Sequence, residues 1–454
     1  MNNIKYIVEK QQVYFAKEET RKINFRKTQL KNLFDNIKKY EKEILLALKT
    51  DLNKADFEAY ETEISIVYEE LKFIIKNIDK LAKPKRKRTP IMHFPSSSYQ
   101  YQDPYGCVLI MSPWNYPFQL TMVPLIGAIA AGNCIIVKPS NYAKATSNII
   151  KKILNDFPDE YICVIEGGRD INQMLLDEKF DYIFFTGSPT VGKLVMEKAS
   201  KNLIPITLEL GGKSPCIIDE TAKIDLAAKR VAWGKLLNSG QTCVAPDYTL
   251  VHESVKEQFV NSLKKYFKIF YGENPEKNPE YPKIINKHHF ERLCTLIESS
   301  DNVVGGKTNS DTLQIAPAII DNCTWDSISM QEEIFGPILP IISYKSIDDI
   351  ITKINQRPKP LALYCFTTSK SIEKKVLTSI IYGGGCINDT MVHLANPYIS
   401  FSGVGESGMG KYHGKESFYT FSHTKSILKK STLIDLNLRY APYKDRIKIL
   451  KRIM

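Results

Sequence analysis

From Gly106 onward, four short apolar runs rich in β-branched residues recur with a helical stretch between each: GCVLIM, CIIVK at Cys134, ICVIE at Ile162 and DYIFF at Asp181. Runs that are apolar throughout suit strands buried on both faces, and strands that alternate with helices suit parallel crossover connections. The pattern predicts a doubly wound parallel sheet. A second series follows Gly211, with PCIID, a helix from Ile224 to Leu237, YTLVH and a helix from Val255 to Phe270. Two such series in 454 residues of 43% hydrophobic content exceed what one core usually serves, so two or three domains are expected.

Upstream, Leu33, Phe34, Ile37, Ile44, Leu45 and Leu48 recur at helical spacing, and a second run covers Ile64 to Leu81. Both read as amphipathic packing helices. SSSYQYQDPYG, from Ser96 to Gly106, alternates as a strand does. No apolar run approaches the ~20 residues of a membrane span, and the opening MNNIKYIVEKQQ lacks a signal peptide's apolar stretch, which predicts a cytoplasmic protein. Nine cysteines, an odd number without a CxxC pair, fit reduced thiols and predict neither a disulfide framework nor a metal site.

The formal charge of +12 is compatible with nucleic acid or an anionic membrane as partner. Its lysines and arginines are nevertheless spread among 50 acidic residues, the look of a solvated surface, and no nucleic-acid partner is expected. The one dense run, Lys83 to Arg88 (KPKRKR), matches a nuclear-import or nucleic-acid motif but reads more simply as a solvated linker. In the tail, Ile447, Leu450 and Met454 fall on one helical side, with Lys444, Lys448, Lys451 and Arg452 around the rest. That resembles a short interfacial helix, although a loosely docked end is the simpler reading.

NSGQTCVAPDY, from Asn238 to Tyr248, sets Cys243 in a polar, Gly-containing turn between a helical and a strand-like run. A thiol attacks carbonyl carbon only as thiolate, and a partly exposed turn with donors or positive charge favours that form. Read alone, Cys243 is as readily a small buried hydrophobe. Upstream, LELGGKSP places Glu209 at the end of an apolar strand just before Gly211 and Gly212, where a carboxylate reaches a cleft and burial raises its pKa toward a general base's range. Read alone, Glu209 is an ordinary solvated strand end. FTGSPTVGK follows a strand and opens a helix, so Gly187, Ser188 and Gly192 outline a turn able to hold a diphosphate. The turn nearly spells a Walker A loop, but Leu194 occupies the place of the magnesium-binding Ser or Thr, which argues against an NTPase.

Together with WNYPF at Trp114, GAIAAGNCIIVKPS at Gly127, QEEIFGPILPI at Gln331, NQRPKPLALY at Asn355 and GVGESGMGKYHGKESFYTFSH at Gly403, these segments resemble the aldehyde dehydrogenase superfamily, most closely its class 3 branch. The resemblance covers nearly the whole chain. It implies an α/β fold with a Rossmann-type parallel-sheet cofactor domain (1–82 and 103–208) and an α/β catalytic domain (209–410). Small oligomerisation or bridging segments would be 83–102 and 411–454, and the hairpin near Ser96 would help join a homodimer. Some class 3 relatives are membrane-associated, which makes weak peripheral membrane contact by the tail part of the same expectation.

The implied reaction oxidises an aldehyde, medium or long aliphatic or aromatic, to the acid with NAD or NADP. Cys243 is then the nucleophile that passes through a thiohemiacetal and a thioester, and Glu209 activates the deacylating water. The side-chain amide of Asn115 and the backbone N–H of Cys243 become the oxyanion donors. Gly187, Ser188 and Gly192 meet the cofactor diphosphate, Lys138 and residue 141 the adenosine ribose, Glu333 the nicotinamide ribose, and Phe335 packs near the ring. Many relatives carry Glu after KPS where this chain has Asn141, a departure that bears on NAD against NADP. Tyr60 and Tyr116 suggest an apolar entrance, while Asn388 and His413 read as structural and packing residues. A cysteine acyltransferase would need neither the dinucleotide turn nor Glu333, a non-catalytic protein would need none of these residues, and a coenzyme A-acylating dehydrogenase would not need Glu209.

Overall fold

The computed structural model describes residues 4–443 and 446–453. Two largely parallel sheets carry the fold, as the alternation of strands and helices predicts. The first has six strands in the spatial order Gly408–Met409, Ile206–Glu209, Tyr182–Thr186, Cys107–Met111, Cys134–Lys138 and Ile162–Val164. Only the edge strand Gly408–Met409 is antiparallel. The chain starts this sheet in the middle at Cys107–Met111, moves out to Ile162–Val164, and returns to the other side at Tyr182–Thr186. That reversal opens a crevice beyond the carboxyl ends of the strands.

The second sheet has seven strands, in the order Val303–Gly305, Ala318–Ile320, Ile338–Tyr344, Tyr248–His252, Pro215–Ile218, Ala362–Phe366 and Gly384–Ile387. Its first strand alone is antiparallel. Helices Ile224–Leu236 and Lys256–Tyr271 lie within about a residue of the expected bounds.

Helix Gln119–Ala131 is apolar around its whole circumference, and each of its residues is buried. Such a helix needs cover on every side. It contacts strands Cys107–Met111 and Cys134–Lys138 as well as helices Ile23–Lys39, Ser65–Ala82 and Lys415–Thr420. Gly127 makes the last contact feasible, since a Cβ there would lie 2.7 Å from the Ser417 carbonyl oxygen.

The basic run Lys83–Arg88 is not a linker. Lys85–Lys87 forms an exposed edge strand antiparallel to Ser96–Pro104, which in turn pairs along its whole length with Ser422–Lys430. Charge on an edge strand discourages further pairing. The tail forms a short helix, Ile447–Ile453, with Ile447 exposed. Lys444 and Met454 of the tail pattern lie outside the described residues. Among the described residues, no helix is long and apolar enough to cross a membrane.

Candidate active site

Lys138, Thr186 and Glu209 each close a strand of the first sheet at its carboxyl end, and Met111 leads on to Asn115 in the same crevice. Thr186 and Glu209 are register partners on adjacent strands. The Gly187 N–H donates to the Glu209 carbonyl at 3.0 Å, which fixes the GxxxxG turn against the carboxylate-bearing strand.

Cys243 follows an unusual stretch of backbone. Asn238, Ser239 and Gly240 all take left-handed conformations, with φ of 52°, 54° and 73°. Each non-glycine residue held so costs on the order of 1–3 kcal/mol, and persists only where the surroundings over-determine it. They do so here. The Asn238 N–H donates to Glu58 Oε1 at 2.7 Å, and its side-chain Nδ2 donates to the main-chain oxygens of Asn115 (2.8 Å) and Gln241 (3.1 Å). Gln241 spans the turn, donating to Asn238 O and Lys283 O at 3.0 Å each and accepting the Ile285 N–H at 3.0 Å. Gly240 is required, because a Cβ would lie 2.2 Å from the Gly336 carbonyl oxygen. On either side of Cys243, Thr242 Oγ1 pairs with the Tyr116 hydroxyl at 2.8 Å and Val244 O accepts the Tyr364 hydroxyl at 2.6 Å.

The structure brings Cys243 and Glu209 into one cavity of about 150 Å³. Its wall is otherwise mostly apolar, with Leu120, Trp233, Leu237, Leu394 and Phe401 prominent. Glu209 is 2% exposed, and neither of its carboxylate oxygens has a hydrogen-bond partner among the described residues. Burial therefore holds its pKa well above the usual carboxylate range. Of the donors or positive charge expected around Cys243, the described residues supply backbone N–H donors. Burial raises the thiol pKa, and the carboxyl groups of Glu333 and Glu209 raise it further, while the backbone N–H groups of Cys243 and Val244 act in the opposite direction. Burial thus shifts both the Cys243 thiol and the Glu209 carboxyl group toward their protonated forms.

Asn115 is buried, and its Nδ2 donates to Gln241 O at 3.0 Å. A primary amide carries a second N–H, so one donor is left for a neighbouring oxygen. Glu333, by contrast, approaches the Gly211–Gly212 turn. A Cβ on Gly211 would lie 2.1 Å from Glu333 Oε2, and the Gly212 N–H bonds the carboxylate. Glu333 has its pKa raised to about 8, by burial first and Asp247 next. Phe335 has φ of 51° and sets its ring edge-on to Trp114 at 5.3 Å.

Lys138 is 3% exposed, and its Nζ donates to Pro139 O at 2.9 Å. Burial lowers its pKa to about 8, with Glu166 opposing. Ser188 caps helix Pro189–Ser200 and accepts the Val191 N–H. Gly192 packs on Leu210, whose Cδ2 would lie 2.6 Å from an added Cβ. Fit to a dinucleotide is good on three counts: a glycine turn opening a helix, a buried ammonium with donors to spare, and a carboxylate seated where a glycine lacks its Cβ.

Residues 2–427 match the aldehyde dehydrogenase family. The chain belongs to that family. It is 50% identical over 454 residues to 4,4'-diaponeurosporen-aldehyde dehydrogenase of Staphylococcus aureus, with 99% of each chain covered. The dimeric NADP-preferring aldehyde dehydrogenase of Canis lupus familiaris is 42% identical over 97% of this chain and 98% of its own. A solved structure of Staphylococcus aureus AldH in its substrate-bound state superposes with a TM-score of 0.98 at 49% identity, covering 100% of this chain and 99% of that one. An aldehyde dehydrogenase is an oxidoreductase that oxidises aldehydes with NAD or NADP, which fits the turn, ammonium and carboxylate above.

The remaining sequence expectations for this aldehyde dehydrogenase divide: some residues stand where they were expected and others do not. Tyr60 is exposed and does not line the cavity; its neighbours Glu61 and Thr62 do, because residues Tyr60–Ile64 form a wide π turn. Tyr116 is buried in the cavity wall. His413 also lines it, packed 4.3 Å from the Tyr412 ring. Asn388 has φ of 60° and exchanges two side-chain hydrogen bonds with the Thr367 backbone at 2.9 Å each. Trp233 and Phe401 also line the cavity, and no periodicity in the sequence marks either as its wall.

Proposed function

We propose that Cys243 is the nucleophile, Asn115 and the Cys243 N–H the oxyanion donors, and Glu209 the base of deacylation. The observation that carries this reading is the shared, mostly apolar cavity, in which Glu209 has no hydrogen-bond partner among the described residues and Cys243 is set by an over-determined turn. The thiolate adds to the aldehyde carbon to give a thiohemiacetal, whose negative oxygen needs donors fixed in advance. Bound NAD or NADP supplies the hydride acceptor. Loss of hydride leaves a thioester on Cys243. Glu209 takes a proton from water as that water attacks the thioester carbon, and the acid departs with the thiol restored. Burial suits Glu209 to this task, because a carboxylate stripped of partners is a stronger base.

Gly187, Ser188 and Gly192 would hold the diphosphate, Lys138 the adenosine ribose and Glu333 the nicotinamide ribose, with Phe335 near the ring. The proposed division is a cofactor domain (1–82, 103–208), a catalytic domain (209–410) and bridging segments (83–102, 411–454); two separate sheets and a smaller three-stranded one support it, with strand Gly408–Met409 crossing from 209–410 to pair in the first sheet. The substrate proposed is a medium or long aliphatic or aromatic aldehyde, supported by the apolar wall and by the long apolar aldehyde in the name of the Staphylococcus aureus relative. A homodimer is proposed on the name of the canine relative, and sedimentation analysis tests it. The nine free thiols fit a reducing, cytoplasmic setting.

The deciding experiment replaces Cys243 by Ala. Oxidation of every aldehyde should disappear while dinucleotide binding persists, because the thiol acts on carbon and not on the cofactor. Turnover within tenfold of the parent would end the assignment.

A further inference from the structure

Three buried charged side chains near the end of the N-terminal helices have no role in the chemistry above. Lys54 and Glu63 are both fully buried and pair at 2.6 Å, and Glu58 is 6% exposed. Buried ions are costly unless their remaining donors and acceptors are placed, so the partners are informative. Lys54 Nζ also donates to the main-chain oxygen of Asn115 at 3.3 Å and lies 3.9 Å from the centre of the Tyr116 ring. Glu63 spends its other oxygen on the N–H groups of Phe118 (2.9 Å) and Gln119 (3.1 Å). The segment Trp114–Gln119 is thus gripped at a carbonyl by a cation and at two amides by an anion.

Glu58 holds the other half of the site. Its Oε1 accepts the Asn238 N–H at 2.7 Å, and the Asn238 amide returns to the same Asn115 oxygen at 2.8 Å. Apart from the ion pair itself, all of these bonds end either on the segment that carries Asn115 or on the turn that carries Cys243. The backbone is shaped for this. On an α-helix, side chains five residues apart point about 140° away from each other. The π turn Tyr60–Ile64 is wider, and it lets Glu58, Thr62 and Glu63 all face inward.

We propose that Lys54, Glu58 and Glu63 are positioning residues that hold Asn115 and the Cys243 turn in register, so that the two oxyanion donors converge on one point. This rests on the assignment of those donors above. The network acts on oxyanion formation, and neither on the thiol's accessibility nor on cofactor binding.

The test uses the full chain and the double variant Lys54→Met/Glu63→Leu, which removes both charges and leaves neither ion unpaired. With saturating aldehyde and NAD, the pre-steady-state burst of reduced cofactor should slow at least 30-fold. Alkylation of Cys243 by iodoacetamide, which needs the thiol but no oxyanion, should stay within threefold of the parent, as should the Kd for NAD. Asn115→Ala is the control and should slow the burst at least as much. A normal burst in Asn115→Ala overturns the donor assignment itself. A slow burst there, with a burst within threefold of the parent in the double variant, overturns the present inference alone. Alkylation of the double variant that departs from the parent by more than threefold in either direction also overturns it, because the pair would then merely hold the site folded.

Discussion

Gly211 lacks the one carbon that Glu333 would strike: a Cβ there would stand 2.1 Å from Glu333 Oε2. The carboxylate assigned to the nicotinamide ribose therefore sits where it does because its neighbour has no side chain. Gly211→Ala should push Glu333 out and lose about one charged hydrogen bond, or about 1.5–3 kcal/mol. The expected result is a Kd for NAD raised roughly 10- to 100-fold, measured by calorimetry. An unchanged Kd would remove Glu333 from cofactor binding.

Asn141 is exposed and puts a neutral amide directly after Lys138, Pro139 and Ser140. A carboxylate near a 2′-phosphate repels it and a neutral amide does not, so NADP should support measurable oxidation alongside NAD. A rate with NADP under about a thousandth of that with NAD, equivalent to ~4 kcal/mol, would mean that another group excludes the phosphate.

Buried His413 has its pKa lowered to about 4, chiefly by burial and then by His393. Since the unfolded chain binds this proton near pH 6.5, the folded state holds fewer protons between the two values. Stability from this group is full above about pH 6.5 and is lost as pH falls toward 4. At pH 5.5 the loss is on the order of 1 kcal/mol. Urea midpoints at pH 7.5 and 5.5 should therefore differ more for the parent than for His413→Asn, and equal differences would show that His413 does not titrate on unfolding.

Much of this was legible beforehand, for a physical reason. The central strands of both sheets are buried on both faces, so their apolar runs stand out from the helices between them. Cys243, Glu209, Asn115 and the glycine turn lie in ordered motifs whose types are fixed by the chemistry. The supporting residues were hidden. Lys54, Glu58 and Glu63 look like solvated charges in a polar segment, because a sequence does not display the ion pair that permits burial. The π turn is equally invisible to a reading based on 3.6-residue spacing. Lys85–Lys87 read as a linker because its pairing partner is supplied by Ser96–Pro104 and by nothing in its own composition.

The central claim is that Cys243 and Glu209 divide the cycle, the thiol forming the acyl adduct and the carboxylate discharging it. Glu209→Gln keeps the size of the side chain but cannot accept a proton. Mixed with aldehyde and NAD at neutral pH, this variant should release reduced cofactor in a burst near one per active site. Turnover should then be slower than the parent's by roughly 10²- to 10⁴-fold. Intact-protein mass spectrometry during the slow phase should find the acyl group on Cys243. No burst at neutral pH and no adduct, with the burst restored by raising the pH, would contradict the claim and make Glu209 the base that deprotonates the thiol.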